Sequence, residues 1–161
     1  MNAEAALTAP VVVAEDDPRA ADVQDLIRRH LALMHENTPP EDVFALDTSG
    51  LASPGVTFVT ARRGGTLLAM GALKELDGEQ GELKSMHTLA ELRGQGIGRR
   101  VLDHLLREAR VRGYRRVSLE TGSMAAFAPA WALYEKAGFV ECGAFGEYPG
   151  GPNSRFMTLE L

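Results

Sequence analysis

A cluster of glycines between residues 94 and 98 is the part of the sequence whose residue types most clearly suit a chemical role. The run reads Arg93-Gly94-Gln95-Gly96-Ile97-Gly98 and is followed by Arg99 and Arg100. Glycines let the backbone approach a ligand closely, and the free amide groups at a helix N-terminus attract anions. Together with the flanking arginines, this loop predicts a site for a phosphate or a pyrophosphate.

Three phosphate-binding patterns can be compared with this loop. A Walker A loop ends in Gly-Lys-Ser/Thr, whereas this one runs into two arginines, so that pattern fails. A dinucleotide-binding fingerprint would place Arg99 where a small residue is needed, although Glu120 stands about where its ribose-binding acid would lie. The pattern Gln/Arg-x-x-Gly-x-Gly/Ala is matched in full by Arg93, Gly96 and Gly98. A turn that only joins a strand to a helix is the structural alternative.

The loop must be positioned by a strand before it and a helix after it. Apolar residues recur at helical spacing from Ala20 to His35 and from Ile97 to Ala109, and a shorter helix is predicted from Pro129 to Lys136. Two glycine-containing turns join three β-rich runs into successive hairpins, which predicts an antiparallel sheet in an α+β or mixed α/β domain. The predicted strands are Val11–Ala14, Val56–Arg62, Thr66–Lys74, Glu82–Thr88, Arg116–Thr121, Phe139–Cys142 and Arg155–Leu161.

Composition restricts the class of protein. The chain of 161 residues has 45% hydrophobic and 24% charged residues, as folded domains do, and we predict one domain over residues 1–161. A formal charge of −5 disfavours a nucleic-acid partner, which needs a basic surface. The single cysteine, Cys142, cannot form an internal disulfide, and no run resembles a signal peptide or a membrane span. We therefore expect a cytoplasmic protein with no membrane partner and no metal site.

Three motifs occur in the order and spacing known from one enzyme family. Residues 93–98 resemble the pyrophosphate loop of the GCN5-related N-acetyltransferases, the GNAT superfamily. Glu82-Leu83-Lys84-Ser85-Met86 stands eleven residues before Arg93, in the place of that family's fourth strand. Residues 132–139 resemble its fourth-helix signature, Ala-Leu-Tyr-Glu-Lys-x-Gly-Phe. The asparagine often found near the start of that helix is absent, and the region holds Ser123, Phe127 and Pro129.

Two further segments, residues 30–51 and 154–157, resemble a bacterial branch of acetyltransferases that have no assigned substrate. The resemblance implies the GNAT fold, an α/β (α+β) fold with a mixed, mostly antiparallel central sheet. That sheet has six to seven strands, is flanked by about four helices, and splays between its fourth and fifth strands. Here the two splayed strands would be Glu82–Thr88 and Arg116–Thr121.

The resemblance also implies acetyl-CoA (coenzyme A) as the cofactor and a primary amine as the acceptor. The pantetheine arm would lie in the splay and pair with backbone groups of Met86 and Thr88, and the amide of Met86 would polarise the thioester carbonyl. The cofactor-binding residues implied in this way are Met86, His87, Thr88, Arg93, Gly94, Gln95, Gly96, Ile97, Gly98 and Arg99.

An amine is mostly protonated at neutral pH, so a base must take its proton. Glu82 is the candidate, directly or through one water, because it opens the strand that borders the thioester; an ordinary charged strand end is the alternative. His87 is a rival base, but strand alternation is expected to point it away from the face of Glu82.

In the resembled family the position of Tyr134 often holds the acid that protonates the departing thiolate. Because the amine attacks the thioester directly, we expect Cys142 in the core and not as a nucleophile.

The acceptor pocket is the least determined part of the site. If the hairpin turn pairs Leu76 with Glu82, Lys74 and Lys84 face each other, and the side chains at positions 82, 84, 86 and 88 share a face. The two lysines would then receive the carboxylate of an amino acid, although solvated lysines at a sheet edge are the alternative. Other candidates for the pocket wall are Tyr148, Arg155, His30, Met34 and His35.

These observations favour an acetyl-CoA-dependent N-acetyltransferase that acts on the primary amine of a small molecule such as an amino acid. Two alternatives stay open at this stage. One is a non-catalytic acyl-CoA-binding regulatory module, and the other is an acetyltransferase of protein lysines or N-termini. A homodimer is also open, because many members of the resembled family dimerise.

Overall fold

The computed structural model describes residues 8–161, in which helices cover both faces of a central β-sheet. The strands are β1 (Val11–Glu15), β2 (Val56–Arg63), β3 (Thr66–Asp77), β4 (Gln80–Thr88), β5 (Arg116–Gly122), β6 (Val140–Cys142) and β7 (Ser154–Glu160). The α-helices are α1 (Ala21–Asn37), α2 (Thr48–Leu51), α3 (Ile97–Val111) and α4 (Ala128–Lys136). Within these residues, no helix combines the length and the apolar character that a membrane span requires.

The seven strands lie in the order β1-β2-β3-β4-β5-β7-β6. All neighbouring pairs are antiparallel except β4 and β5, which are parallel. This exception follows from the connection, because α3 carries the chain back across the sheet before β5 begins. The predicted fold class, a mixed and mostly antiparallel sheet with about four helices, is confirmed.

Two helices bury apolar stripes against opposite faces of the sheet. α1 buries Val23, Leu26 and Ile27, which pack in one cluster with Met70 and Ala72 of β3. The longer α3 buries six residues at helical spacing against the other face, where they meet Ala69 and Leu73 of the same strand. The alternation of β3 therefore divides the core into an α1 face and an α3 face. The residues that α3 buries are Ile97, Val101, Leu102, Leu105, Leu106 and Ala109.

Pairing between β4 and β5 stops partway along β4. The ladder runs from Gln80 opposite Arg116 to Leu83 opposite Leu119. The remainder of β4 stays paired with β3 on its other side, as far as Thr88. The two strands therefore separate after Leu83 and Leu119, which confirms the splay between the fourth and fifth strands.

A β-bulge changes the direction of β4 at this point of separation. Two residues, Ser85 and Met86, stand where β3 has only Gly71, and Ser85 has a positive φ of 55°. A bulge of this kind adds one residue to a strand and increases its local twist. A Cβ on Gly71 would lie 2.5 Å from Met86 Sδ and 2.8 Å from Val101 Cγ1, so the bulge can pack closely only over a glycine.

The bulge overturns two expectations about strand faces. Glu82 lies on the α1 face, whereas Met86 packs against the α3 cluster and Thr88 lies beside the start of α3. The prediction that positions 82, 84, 86 and 88 share one face was therefore wrong. His87 is brought to the α1 face, where it contacts His30, so its predicted separation from the face of Glu82 was wrong too. One extra residue reverses the alternation of everything that follows it.

The register of the β3–β4 hairpin also differs from the expected one. Asp77 pairs with Gln80, and Lys74 stands opposite Glu82. The predicted pairing of Lys74 with Lys84 was therefore wrong. Two local features cause the difference. The Asp77 carboxylate accepts a hydrogen bond of 2.8 Å from the amide of Glu79 and closes a two-residue turn, and an irregularity between Glu75 and Asp77 then shifts the pairing.

Candidate active site

A cavity opens where β4 and β5 separate, and it is lined from both faces of the sheet. Its walls are the backbone and side chains of residues 83–86 in β4 and residues 119–122 in β5. On the α3 face it is closed by Phe127, Ala130 and Tyr134, and on the α1 face by residues of α1 and the segment that follows it. The residues on the α1 face are His30, Met34, Thr38, Asp42, Val43, Phe44 and Ala45.

The glycine loop lies at the start of α3, beside the end of β4. Gly96 is the N-cap residue with a φ of 80°, Gly94 has a φ of 79°, and no side chain caps the first turn of the helix. A Cβ on Gly98 would lie 3.2 Å from Thr88 Oγ1, which shows how closely the loop approaches β4. The first turn of α3 therefore has uncapped amides beside open space at Gly94 and Gly96, a combination that suits an anion. Arg99 lies beside them, held by Asp103 at 2.9 Å.

The predicted cofactor-binding residues divide between the two faces. Residues 93–99 form the loop at the start of α3, and the side chains of Met86 and Thr88 lie on the same face. The side chain of Ile97 is buried in the core, so only its backbone can face a ligand at the loop. The side chain of His87 lies on the α1 face, so only its backbone borders the splay.

Glu82 is buried beside the cavity in a network of three side chains. The hydroxyl of Tyr148 donates to Glu82 Oε2, and Lys84 Nζ lies 3.5 Å from the same oxygen. Lys84 also donates to Tyr148 Oη at 2.9 Å and to the carbonyl of Phe44 at 3.1 Å. Burial and the neighbouring carboxylate raise the pKa of Tyr148, so its hydroxyl stays a donor. The sequence had placed Lys84 and Glu82 on one face of the strand, and the structure adds Tyr148 to them.

A second carboxylate, Glu120, lines the cavity directly. It shares the α1 face with Glu82 because Ser118, two residues earlier on β5, stands opposite Glu82 in the ladder. Glu120 Oε2 accepts a hydrogen bond of 2.6 Å from Ser154 Oγ. Burial is the main cause that raises the pKa of the Glu120 carboxyl. The sequence suggested Glu120 only as a ribose-binding acid. Because residues two apart on a strand share a face, its spacing from Ser118 was the signal that could have predicted its position on the α1 face.

Tyr134 reaches the cavity from the opposite side of the splay. Its side chain is buried, and its ring packs edge-on against Phe139 with centroids 5.7 Å apart. Burial raises the pKa of the hydroxyl, which keeps it protonated at neutral pH. The cavity therefore has carboxylates on its α1 face and a protonated phenol on its α3 face.

The buried His30 and the half-buried His87 form a pair at the α1 end of the cavity. Their Nδ1 atoms are 2.9 Å apart, and the rings meet edge to face. Burial is the main cause that lowers the pKa of His30 to about 3 and that of His87 to about 4. Nearby cationic groups lower these two pKa values further: Lys84 acts on His30, and Arg93 acts on His87. Both rings are therefore neutral at pH 7, with one donating to the other.

Three predicted residues lie away from the cavity. The guanidinium of Arg155 stacks over the ring of Trp131 at 4.7 Å and forms ion pairs with Glu135 and Glu141, so it is held on the α4 side of the sheet. Lys74 stands opposite Glu82 in the sheet but lies outside the lining of the cavity. His35 is exposed on α1.

Because His30 and His87 are neutral in the folded protein, we expect acid to lower its free energy of unfolding. Since both folded-state pKa values lie below the ordinary value of 6.5, the unfolded chain binds these protons first. The stability that the pair contributes is present above pH 6.5 and is lost as the pH falls below it. We expect the free energy of unfolding to drop by about 2–4 kcal/mol between pH 7 and pH 5.

Urea unfolding at pH 7, 6 and 5 measures this drop. His87→Gln should flatten the dependence, whereas His35→Gln, which changes an exposed residue of α1, should keep the wild-type slope. Equal slopes for all three proteins would contradict the assignment.

Comparison with known proteins assigns this chain to one family. The model of the acetyltransferase (GNAT) family matches residues 22–139. The chain is 47% identical over 146 residues to the uncharacterized N-acetyltransferase YsnE of Bacillus subtilis (strain 168), covering 91% of this chain and 97% of that protein. It is 38% identical over 152 residues to the IAA acetyltransferase of Azospirillum brasilense, covering 94% and 98%.

A solved structure shows the same fold with a cofactor bound. The aminoglycoside 6′-N-acetyltransferase in complex with coenzyme A matches this chain with a TM-score of 0.69 at 17% identity, over 92% of this chain and 96% of that one. At this identity the match shows that the two chains share a fold. The chain therefore belongs to the GNAT acetyltransferase family, which uses acetyl-CoA as its cosubstrate.

Proposed function

We propose that this protein transfers the acetyl group of acetyl-CoA to the primary amine of a small molecule, by direct attack of the amine on the thioester. One observation carries the proposal: a cavity at the splay is lined from both faces of the sheet. The α3 face offers the glycine loop and Tyr134, which suit the donor. The α1 face offers carboxylates, which suit an amine.

On the donor side, the loop would hold the pyrophosphate and β4 would hold the pantetheine arm. Beyond Leu83 the β5-facing edge of β4 lacks a partner in the β4–β5 ladder, so its backbone groups are free to pair with the pantetheine amides as an added strand would. The amide of Met86, which lies in the bulge, is the proposed donor that would polarise the thioester carbonyl.

On the acceptor side, Glu82 is the proposed base, acting directly or through one water. Its carboxylate is buried at the start of the splay, and the hydroxyl of Tyr148 and the ammonium of Lys84 keep it oriented. The amine nitrogen would form a bond to the carbonyl carbon, the carbon–sulfur bond would break, and the proton of the amine would pass to Glu82.

Tyr134 is the proposed acid for the departing sulfur. Its hydroxyl is buried on the donor side of the splay, and its raised pKa supports the protonated form that an acid requires. The phenol would give its proton to the thiolate, so that free coenzyme A and the N-acetylated amine leave the site. No covalent acetyl-enzyme is needed, which agrees with the position of Cys142 on the short strand β6, outside the cavity lining.

Replacing the two proposed proton-transfer groups tests this mechanism. Glu82→Gln should lower kcat by about 10²–10⁴, and the loss should shrink as the pH rises, because more of the amine is then already neutral. Tyr134→Phe should lower kcat while the KM for acetyl-CoA changes less than about threefold. Turnover is measured as release of free thiol with a panel of amines.

Two controls separate these roles from structural damage. Tyr114→Phe changes another buried tyrosine, in the α3–β5 connection, and should keep wild-type turnover. Glu160→Gln changes an exposed carboxylate at the end of β7 and should do the same. Undiminished rates in Glu82→Gln and Tyr134→Phe would remove both residues from the mechanism.

A matched pair of glycines at the two ends of α3 tests the pyrophosphate loop. Gly96 and Gly113 have φ values of 80° and 78°, and a Cβ on either would meet nothing within 4 Å. Gly96→Ala and Gly113→Ala should therefore cost similar stability, about 1 kcal/mol each, through backbone strain alone. Only Gly96→Ala should weaken coenzyme A binding, because only there does the added methyl group enter the open space in which the pyrophosphate is proposed to lie. Calorimetric titration and thermal unfolding give the two quantities, and equal affinities in both variants would relocate the cofactor.

A further inference from the structure

The acceptor side of the cavity has an unbalanced negative charge. Its charged lining residues are two carboxylates, Asp42 and Glu120, and one ammonium, Lys84. Glu82 lies immediately behind Lys84 and forms an ion pair with it at 3.5 Å. After that pair is set aside, two carboxylates remain without a neutralising cation among the lining residues.

Lys84 is already engaged with three partners inside the protein. An ammonium group has three donors. Here it donates to the carbonyl of Phe44 at 3.1 Å and to Tyr148 Oη at 2.9 Å, and it pairs with Glu82. The side chain is only 10% exposed, so the group cannot turn to a new partner without giving up a buried one. The carboxylate of an amino acid would therefore find no free cation at Lys84.

Glu120 is the group in this pocket that an ammonium ion would complement. Ser154 occupies one oxygen through a hydrogen bond of 2.6 Å, which orients the carboxylate. The charged groups that act on it are Lys84, which favours its anion, and Glu82 and Asp42, which disfavour it. Asp42 is itself fixed by Asn153 at 2.9 Å. An incoming cation would relieve the repulsion among these carboxylates, whereas an incoming carboxylate would add to it.

We propose, building on the function above, that Glu120 binds the ammonium group of the acceptor and that the pocket selects amines which carry no carboxylate beside the amino group. The acceptors are thus alkylamines, amino amides or similar cations, and not free amino acids. Glu120 contacts the substrate in this account, and its role is recognition.

Three families of matched compounds test the proposal with the full-length enzyme. Leucine, lysine and phenylalanine are each compared with the corresponding amino amide and with the decarboxylated amine, and release of free thiol is measured at saturating acetyl-CoA. The amino amide has nearly the size of the amino acid, so a preference for it is not a preference for smaller compounds. The decarboxylated amine is more basic than the amino acid and supplies less of the neutral form, so a preference for it does not reflect the supply of free base. We expect kcat/KM for both derivatives to exceed that of the amino acid by about tenfold or more.

Glu120→Gln tests the residue. The amide keeps the shape and the contact with Ser154 but removes the charge, so the KM for the preferred amine should rise by about tenfold and its advantage over the amino acid should shrink to about threefold or less. The kcat and the KM for acetyl-CoA should stay close to wild type, as should all constants of the exposed control Glu160→Gln. A fall in kcat at unchanged amine KM would overturn the recognition role, and preferred turnover of the amino acids would overturn the selectivity.

The test distinguishes this inference from the function on which it rests. If none of the nine compounds is acetylated, the proposed small-molecule activity fails for these acceptors. Binding of the same compounds to the complex of the protein with coenzyme A, measured by calorimetry, then tests the selectivity of the pocket. Tighter binding of amides and amines than of amino acids, lost in Glu120→Gln, supports the inference. Equal binding, tighter binding of the amino acids, or no binding at all overturns it.

Discussion

The separation of β4 from β5 is the constraint on which the rest of the site depends. Parallel pairing holds the strands together up to Leu83 and Leu119, and the bulge at Ser85 and Met86 then changes the direction of β4. Strands that stayed paired to their ends would leave no passage through the sheet and no free strand edge. Because the bulge needs close packing against α3, the absence of a side chain at Gly71 is part of the same constraint.

The separation also explains why the two halves of the site differ in charge. The α3 face receives the glycine loop, its arginines and the buried phenol of Tyr134, all suited to an anionic thioester. The α1 face receives Glu82, Glu120 and the neutral histidine pair, suited to an amine. The sheet between the two groups would keep a bound negative cofactor away from the carboxylates of the α1 face, except at the cavity itself. An overall acidic chain can thus bind an anionic cofactor, since its positive groups are concentrated at one loop.

Local patterns in the sequence were sufficient for much of the fold. The glycine loop, α3 and the hairpins depend on residues close together in the chain, and the motif resemblance supplied the splay. The bulge could not be predicted, because nothing about a serine at position 85 indicates a positive φ. The contact of Tyr148 with Glu82 joins residues 66 positions apart, and the capture of Arg155 by Trp131 and Glu135 depends on where α4 packs. Such contacts arise from tertiary packing, which periodicity does not specify.

A crystal structure of the protein with acetyl-CoA, or with an analogue that cannot transfer its acyl group, tests the central claim most directly. This account predicts that the pyrophosphate lies on the amides at the start of α3 and that the acyl carbonyl lies between β4 and β5, about 3 Å from the amide of Met86. It also predicts that the acyl carbon faces the carboxylates of the α1 face. A cofactor bound elsewhere, or an acyl group on the α3 side with β4 and β5 closed between it and Glu120, would contradict it.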